Sequence, residues 1–307
     1  MRIAFLGTSP FACPELAALV ERHDVALVVT QPDRPVGRHA TLTAPPVKQA
    51  AVQLGLPVFQ PEQIGREEAT ARLRDVGADV LVVAAYGQLL KPPAFTAAPL
   101  GAINIHASLL PAYRGAAPVQ WAIIRGETQT GITTFRIDAG MDTGDLILRR
   151  SLEIGPDETA GELEGRLASL GATTIVETLD GLADGSLVVR AQPEDGVSMA
   201  PRMNRETGHI DWGLPSQRIH DLTRGTNPWP GAWTVLEGER VKIHRTIQTD
   251  IACGPISSGE IALRETDRLL IGTGDRLIEI REIQREGRPR VDGPAFLHGL
   301  RSPARFS

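Results

Sequence analysis

Asp79-Val80-Leu81-Val82-Val83-Ala84 carries one charge at its head and then nothing polar; Gly101-Ala102-Ile103-Asn104-Ile105 is a shorter run of the same kind. A strand that is apolar at every position, rather than every second one, is buried on both faces. Working outward, Arg2 to Leu6 and Val25-Ala26-Leu27-Val28-Val29 repeat the pattern. Helix-like segments stand between and after these runs, at Pro14 to Glu21, Arg66 to Val76 and Ala117 to Arg125. Apolar strands alternating with helices predict an α/β fold with a Rossmann-like, mainly parallel sheet covered on both faces. Such sheets gather ligands at the carboxyl ends of their strands, and Asn104 and His106 fall at one such end.

Gly131 to Arg136 and Leu146 to Arg150 read as further strands, joined by the turn Asp138-Ala139-Gly140-Met141-Asp142-Thr143-Gly144-Asp145. Thr159 with Glu162 is a capping box that opens a helix running to about Leu182, with Leu163, Leu167 and Leu170 on one face. From Gln192 to Glu206 the pattern dissolves into proline, polar and charged residues, which reads as a linker. Beyond it, short alternating stretches separated by Gly-rich turns predict a small OB-like β-barrel: Trp233 to Glu237, Arg240 to Arg245, Gly259 to Leu263, Arg268 to Thr273 and Leu277 to Ile283. The expected organisation is a catalytic domain over 1–191, a linker over 192–206 and a barrel over 207–307.

Composition narrows the function classes. At 42% hydrophobic and 22% charged residues, the 307-residue chain has enough apolar material for two cores. No apolar run approaches the roughly 18–20 residues that cross a bilayer. The opening Met1 to Leu6 has one positive charge and stops at Gly7, so it reads as a buried strand and not a signal peptide. Cys13 and Cys253 lie far apart without metal-ligand spacing, which points to a reducing, cytoplasmic setting and a metal-free chain. The net charge is −5: residues 205–307 hold 15 Lys and Arg against 14 Asp and Glu, and the rest 17 against 23. A nucleic-acid partner would therefore meet local basic patches rather than an overall positive field.

Known cofactor signatures are missing. Strand one leads into Gly7-Thr8-Ser9-Pro10, with neither a Gly-x-Gly-x-x-Gly dinucleotide turn nor a Walker pattern, and there is no Gly-x-Ser-x-Gly, His-Glu-x-x-His or Cys-x-x-Cys. The densest chemistry lies in 104–118. Asn104 and His106 are two residues apart, so at an extended strand end they share a face. An amide donor beside an imidazole suits an oxygen that gains negative charge, as a carbonyl does when an amine attacks it. A carboxylate facing the imidazole would favour its cationic form. Asp138, Asp142 and Asp145 are all on a turn able to supply one, and spacing does not choose among them.

Asn104-Ile105-His106 with Ser108-Leu109-Leu110-Pro111 and Arg114-Gly115, followed by Asp138-x-Gly-x-Asp142-Thr143-Gly144-Asp145, resembles the signature of the folate-dependent formyltransferases. The resemblance implies Asn104, His106 and Asp142 as the catalytic residues and 10-formyltetrahydrofolate as the formyl donor, with no metal. It also implies a folate pocket lined by Tyr86, Gly87, Gln88, Leu89 and Leu90, by Ser108, Leu109, Leu110 and Pro111, and by the turn from Asp138 to Asp142.

Three segments resemble the branch of that family whose acceptor is methionyl initiator tRNA. They are Thr30 to Arg38 continuing through Thr43 to Lys48, then Gly208 to Trp212, and then Asn227 to Trp233 followed by Val241-Lys242-Ile243. The first is similar to an insertion that grips the acceptor end of the tRNA, which implies contacts from Arg34, Arg38 and Lys48. The usual run of basic residues after the Gly-Arg pair is replaced here by His39-Ala40-Thr41, so a weaker grip is expected. In the barrel, Arg218, Arg224, Lys242 and Arg245 are candidates for phosphate contacts, and Trp212, Trp229 and Trp233 are expected to pack. The rival readings are a formyl-group enzyme with another acceptor, such as an amino sugar or nucleotide, and a non-catalytic RNA-binding module. A monomer is expected, since no apolar stripe is left over.

Overall fold

Arg2–Gly7 (β1) starts the central sheet, and its last five residues are buried. Around it, Asp24–Val29 (β2), Val58–Phe59 (β3), Val80–Ala84 (β4), Ala102–His106 (β5), Gln129–Arg136 (β6) and Leu146–Glu153 (β7) lie in the order β7-β6-β5-β4-β1-β2-β3. The computed structural model describes residues 1–37, 40–262, 267–300 and 305–307.

β3, β2, β1, β4 and β5 are parallel, and β6 runs antiparallel to β5. All five residues of β4 are buried, as the unbroken apolar run requires. Strand order reverses between β1 and β4, so the crevice of a doubly wound sheet opens beyond the carboxyl ends of β1 and β4, with the end of β5 next in the sheet. The helix Cys13–Arg22 after β1 buries Glu15, Leu16 and Leu19, the spacing of one helical face. The helix Ala160–Ala183 opens on the expected box: Glu162 Oε2 accepts from Thr159 N at 2.9 Å and Thr159 Oγ1 accepts from Glu162 N at 3.3 Å.

Cα packing divides the chain into two units. One holds Met1–Gly115, Thr130–Leu152 and Glu164–Met199; the other holds Ala116–Gln129, Glu153–Leu163 and Ala200–Ser307. The second unit is rich in antiparallel strands: Ala232–Leu236 (β8), Glu239–Ala252 (β9), Leu269–Gly272 (β10), Arg276–Arg285 (β11) and Val291–Asp292 (β12). Residues 259–262 bond to β10 on one side, Phe306 N donates to Gly259 O at 2.8 Å, and Ser307 and Val235 exchange both backbone bonds. The ring β8-β9-β11-β10-(259–262)-(305–307)-β8 is therefore closed. Ile243, Ile271, Ile280 and Phe306 fill it. Leu263, the last residue of one expected stretch, lies outside the described residues.

Trp212 packs as expected, 4% exposed and donating to Thr234 Oγ1 at 2.9 Å. Trp233 lies under the Arg240 guanidinium, 3.7 Å from its ring centre. Trp229 departs from the expectation and is 55% exposed, on the loop between Pro228 and Pro230.

Candidate active site

β5 ends on the residues that matter. Asn104 pairs with Val83 of β4 and Phe135 of β6, and His106 with Thr133, so both side chains leave the same face of the sheet at its carboxyl end. His106 is buried, with its ring edge-on to Phe135 at 6.4 Å. Its Nε2 lies 2.9 Å from the backbone oxygen of Tyr113. A carbonyl only accepts, so Nε2 carries the hydrogen, and Nδ1 is the nitrogen free to bind or release a proton. Asp142 Oδ2 is 3.7 Å from that Nδ1. The same oxygen accepts from Gly115 N at 2.8 Å, which fixes the carboxylate. Among the described residues no hydrogen bond is made to the Asn104 side-chain amide, which is part-exposed and able to serve a ligand.

The turn shows why Asp142, and not its neighbours, meets the histidine. Asp138 is occupied locally, accepting from Gly140 N at 3.0 Å and from Thr143 Oγ1 at 2.7 Å. Asp145 is exposed. Asp142 itself has φ 54°, in the left-handed region that aspartate tolerates better than most residues. Gly144 makes this path possible: a Cβ there would overlap the carbonyl oxygen of Arg136. Strained backbone at a carboxylate that faces an imidazole is a recognised mark of a functional site.

The loops assigned to the folate pocket follow β4 and β5. Tyr86 is buried and its carbonyl accepts from Thr8 Oγ1 at 2.7 Å and Gln31 Nε2 at 3.0 Å. Gly87, at φ 85°, has Gln31 packed where a side chain would begin. Gln88 accepts from Ile64 N at 2.8 Å, Leu89 is exposed and Leu90 buried. After β5, Ser108 Oγ donates to Ala112 O at 2.6 Å, while Thr133 Oγ1 donates to Ser108 O at 2.6 Å and accepts from Leu110 N at 3.1 Å. Leu110 and Pro111 are buried and Leu109 is part-buried. Sequence reasoning missed Thr133, which holds this loop from across the sheet. Its pairing opposite His106 was readable only once the register of β6 was known.

The candidate tRNA-contact residues differ in availability. Arg34 is exposed on a hairpin of Arg34–Val36 with Thr41–Thr43 and pairs with Glu62 at 2.7 Å. Arg38 lies outside the described residues. Lys48 is part-buried and its ammonium is held by Asp33 at 2.7 Å. Arg218 and Lys242 are exposed, whereas Arg245 is bridged to Glu162 at 2.5 Å. Arg224 is placed differently from its expected role. It is buried, pairs with buried Asp221 at 2.8 Å and donates to Gly155 O at 3.1 Å, so it braces the fold from within. Among the described residues no group of three or more His, Cys, Asp or Glu is arranged to hold a metal, and no helix is long and apolar enough to cross a membrane.

Residues 1–179 match the family described as formyl transferase, and residues 202–301 the formyl transferase C-terminal domain. The chain belongs to the formyl transferase family. It is 47% identical over 306 residues to the methionyl-tRNA formyltransferase of Solibacter usitatus, covering 98% of this chain and 96% of that one. Identity to the methionyl-tRNA formyltransferase of Geobacter metallireducens is also 47%, over 302 residues, with 98% and 96% covered. Among solved structures, the fold is similar to that of the sugar 3N-formyl transferase WlaRD, with a TM-score of 0.69 at 18% identity over 94% of this chain and 99% of that one. It is also similar to glycinamide ribonucleotide transformylase 1 of Symbiobacterium toebii, with a TM-score of 0.52 at 25% identity over 63% and 94%.

Proposed function

We propose that this formyl transferase moves the formyl group of 10-formyltetrahydrofolate to the α-amine of methionyl initiator tRNA, giving formylmethionyl-tRNA for translation initiation. The observation that carries the reading is Asp142 Oδ2 at 3.7 Å from the protonatable nitrogen of His106, at the strand end that also presents the Asn104 amide. The near full-length likeness to methionyl-tRNA formyltransferases supports the choice of acceptor.

In the proposed reaction the unprotonated amine attacks the formyl carbon, and a C–N bond forms as the carbonyl electrons move onto oxygen. The Asn104 amide and protonated His106 donate to that oxyanion, worth about 10²–10³ in rate for one well-placed donor. Asp142 keeps His106 oriented and helps draw the proton from the attacking nitrogen. Collapse of the intermediate breaks the bond to the folate N10, which leaves with a proton as tetrahydrofolate. Residues 1–191 are proposed as the folate-binding catalytic domain. Residues 192–206 then serve as linker, and 207–307 as a tRNA-binding barrel. Exposed Arg34, Arg218 and Lys242 are the proposed phosphate contacts, with Arg38, Lys48 and Arg245 near them in sequence. The proposed working form is a cytoplasmic monomer.

The test is transfer of radiolabelled formyl from 10-formyltetrahydrofolate, with methionyl initiator tRNA, free methionine and an amino sugar as parallel acceptors. Label on the tRNA alone is expected. Label on another acceptor, or its release as formate, refutes the acceptor and leaves the centre in place.

A further inference from the structure

The polar segment after the helix Ala160–Ala183 does more than lead away from the sheet. Arg190 exchanges two backbone bonds with Leu146, at 2.7 and 2.9 Å. Two residues on, Gln192 Nε2 donates to the carbonyl oxygens of Asp142 and Gly144, at 2.7 and 2.8 Å. The acceptor end of the same amide is used as well: Gln192 Oε1 accepts from Arg114 Nη2 at 2.7 Å and Nε at 3.2 Å. Farther along, Ser198 Oγ accepts from Tyr113 N at 2.9 Å and Ser198 O from Arg114 N at 2.8 Å.

The segment thus ties together the two backbones that set the centre. One is the turn that carries Asp142. The other is Tyr113 to Gly115, whose carbonyl and N–H hold His106 and Asp142. The first half of the turn is held by the Asp138 side chain, so Gln192 supplies side-chain support from outside the turn at Asp142 and Gly144. Asp142 needs that support because its φ of 54° is unfavourable for a residue with a Cβ. Few side chains can do this. Glutamate has the reach but no donor for the carbonyls, and lysine has donors but nothing to receive Arg114.

We propose that Gln192 is a positioning residue for formyl transfer, which holds the backbone of Asp142 so that its carboxylate faces His106. This rests on the catalytic reading of Asp142. Gln192 does not reach the reacting atoms; it acts through the turn.

The experiment is a double-mutant cycle of Gln192→Leu with Asp142→Ala, read as formyl transfer to methionyl initiator tRNA. Gln192→Leu is expected to lower kcat about tenfold, as the loss of its two bonds to the turn, with the two from Arg114, lets the turn relax, with KM for both substrates within about twofold. Gln192→Glu, which keeps the shape and loses the donors, is expected to behave likewise. In the Asp142→Ala background, Gln192→Leu is expected to cost less than about twofold, because the group it positions is gone. Wild-type kcat in folded Gln192→Leu, or the same tenfold loss in both backgrounds, overturns the proposal and leaves the role of Asp142 intact. Wild-type turnover in Asp142→Ala alone overturns the role of Asp142 and this proposal with it. If circular dichroism shows Gln192→Leu unfolded, Arg114→Met reads the same chain of bonds. It is expected to lower kcat with KM unchanged and to lose its effect in Asp142→Ala, and any other pattern refutes the proposal.

Discussion

Glu15 is fully buried, and neither of its carboxylate oxygens has a hydrogen-bond partner among the described residues. It sits against Gly171, where a Cβ would come within 2.5 Å of Oε1, and Ile105 lines the same spot. Burial pushes its carboxyl up to about 9. The sign follows from proton counting. Below about pH 4.5 the acid is neutral in folded and unfolded chains alike, and burial carries no charge penalty. Between there and about pH 9 the unfolded chain has released a proton that the folded chain keeps, so stability falls as pH rises. At about 1.4 kcal/mol per pH unit, neutral pH carries a cost of roughly 3 kcal/mol. Glu15→Gln keeps the shape and removes the titration. Denaturant unfolding of both proteins from pH 4 to pH 8 is the assay, with the variant expected to match the wild type at the acid end and to gain about 3 kcal/mol near pH 7. Parallel stability curves across that range would refute the reasoning, because the carboxylate would then be ionised and compensated in the fold.

Other substitutions separate the site from its supports. Asn104→Ala should lower kcat by two to three orders of magnitude, about the value of one oxyanion donor, at unchanged melting temperature; near-wild-type turnover removes Asn104 from the centre. Gly144→Ala should cost activity more than global stability, because the Cβ collides with the Arg136 carbonyl and displaces the Asp142 turn, as steady-state rates beside a thermal melt will read. Arg224→Ala should cost about 3–5 kcal/mol by leaving Asp221 buried and uncompensated, yet leave the salt dependence of tRNA binding unchanged. Lys242→Ala should do the opposite, reducing the slope of log K against log salt by about one while stability holds.

The sheet was legible because its strands are apolar throughout, and β1, β2, β4 and β5 fall within a residue or two of where the runs placed them. Val58–Phe59 was not, since a two-residue strand has no period to detect. The hairpin at Arg34–Val36 and Thr41–Thr43 hid for another reason: Arg34, Pro35 and Thr41–Thr43 are exposed, and the sequence carries no alternation there. The helix Ser216–Gly225 was missed because its inward face is largely polar, with Ser216, His220, Asp221, Thr223 and Arg224 buried beside Ile219. At the site, the two-residue spacing of Asn104 and His106 is local and therefore readable. Choosing Asp142 over Asp138 needs the turn's own hydrogen bonds, which composition does not reveal. The second role proposed for Gln192 is hidden within the linker stretch, because its partners on the turn lie 48 and 50 residues away in sequence.

The ring of the second unit is completed by a very short stretch of chain. Ser307 is bonded to Val235 on one side, and Phe306 to Gly259 on the other. Clipping residues 305–307 would unzip two seams at once, baring the outer edge of β8 and that of 259–262. Unpaired edges recruit other strands, so such a clipped protein should self-associate before its sheet is lost.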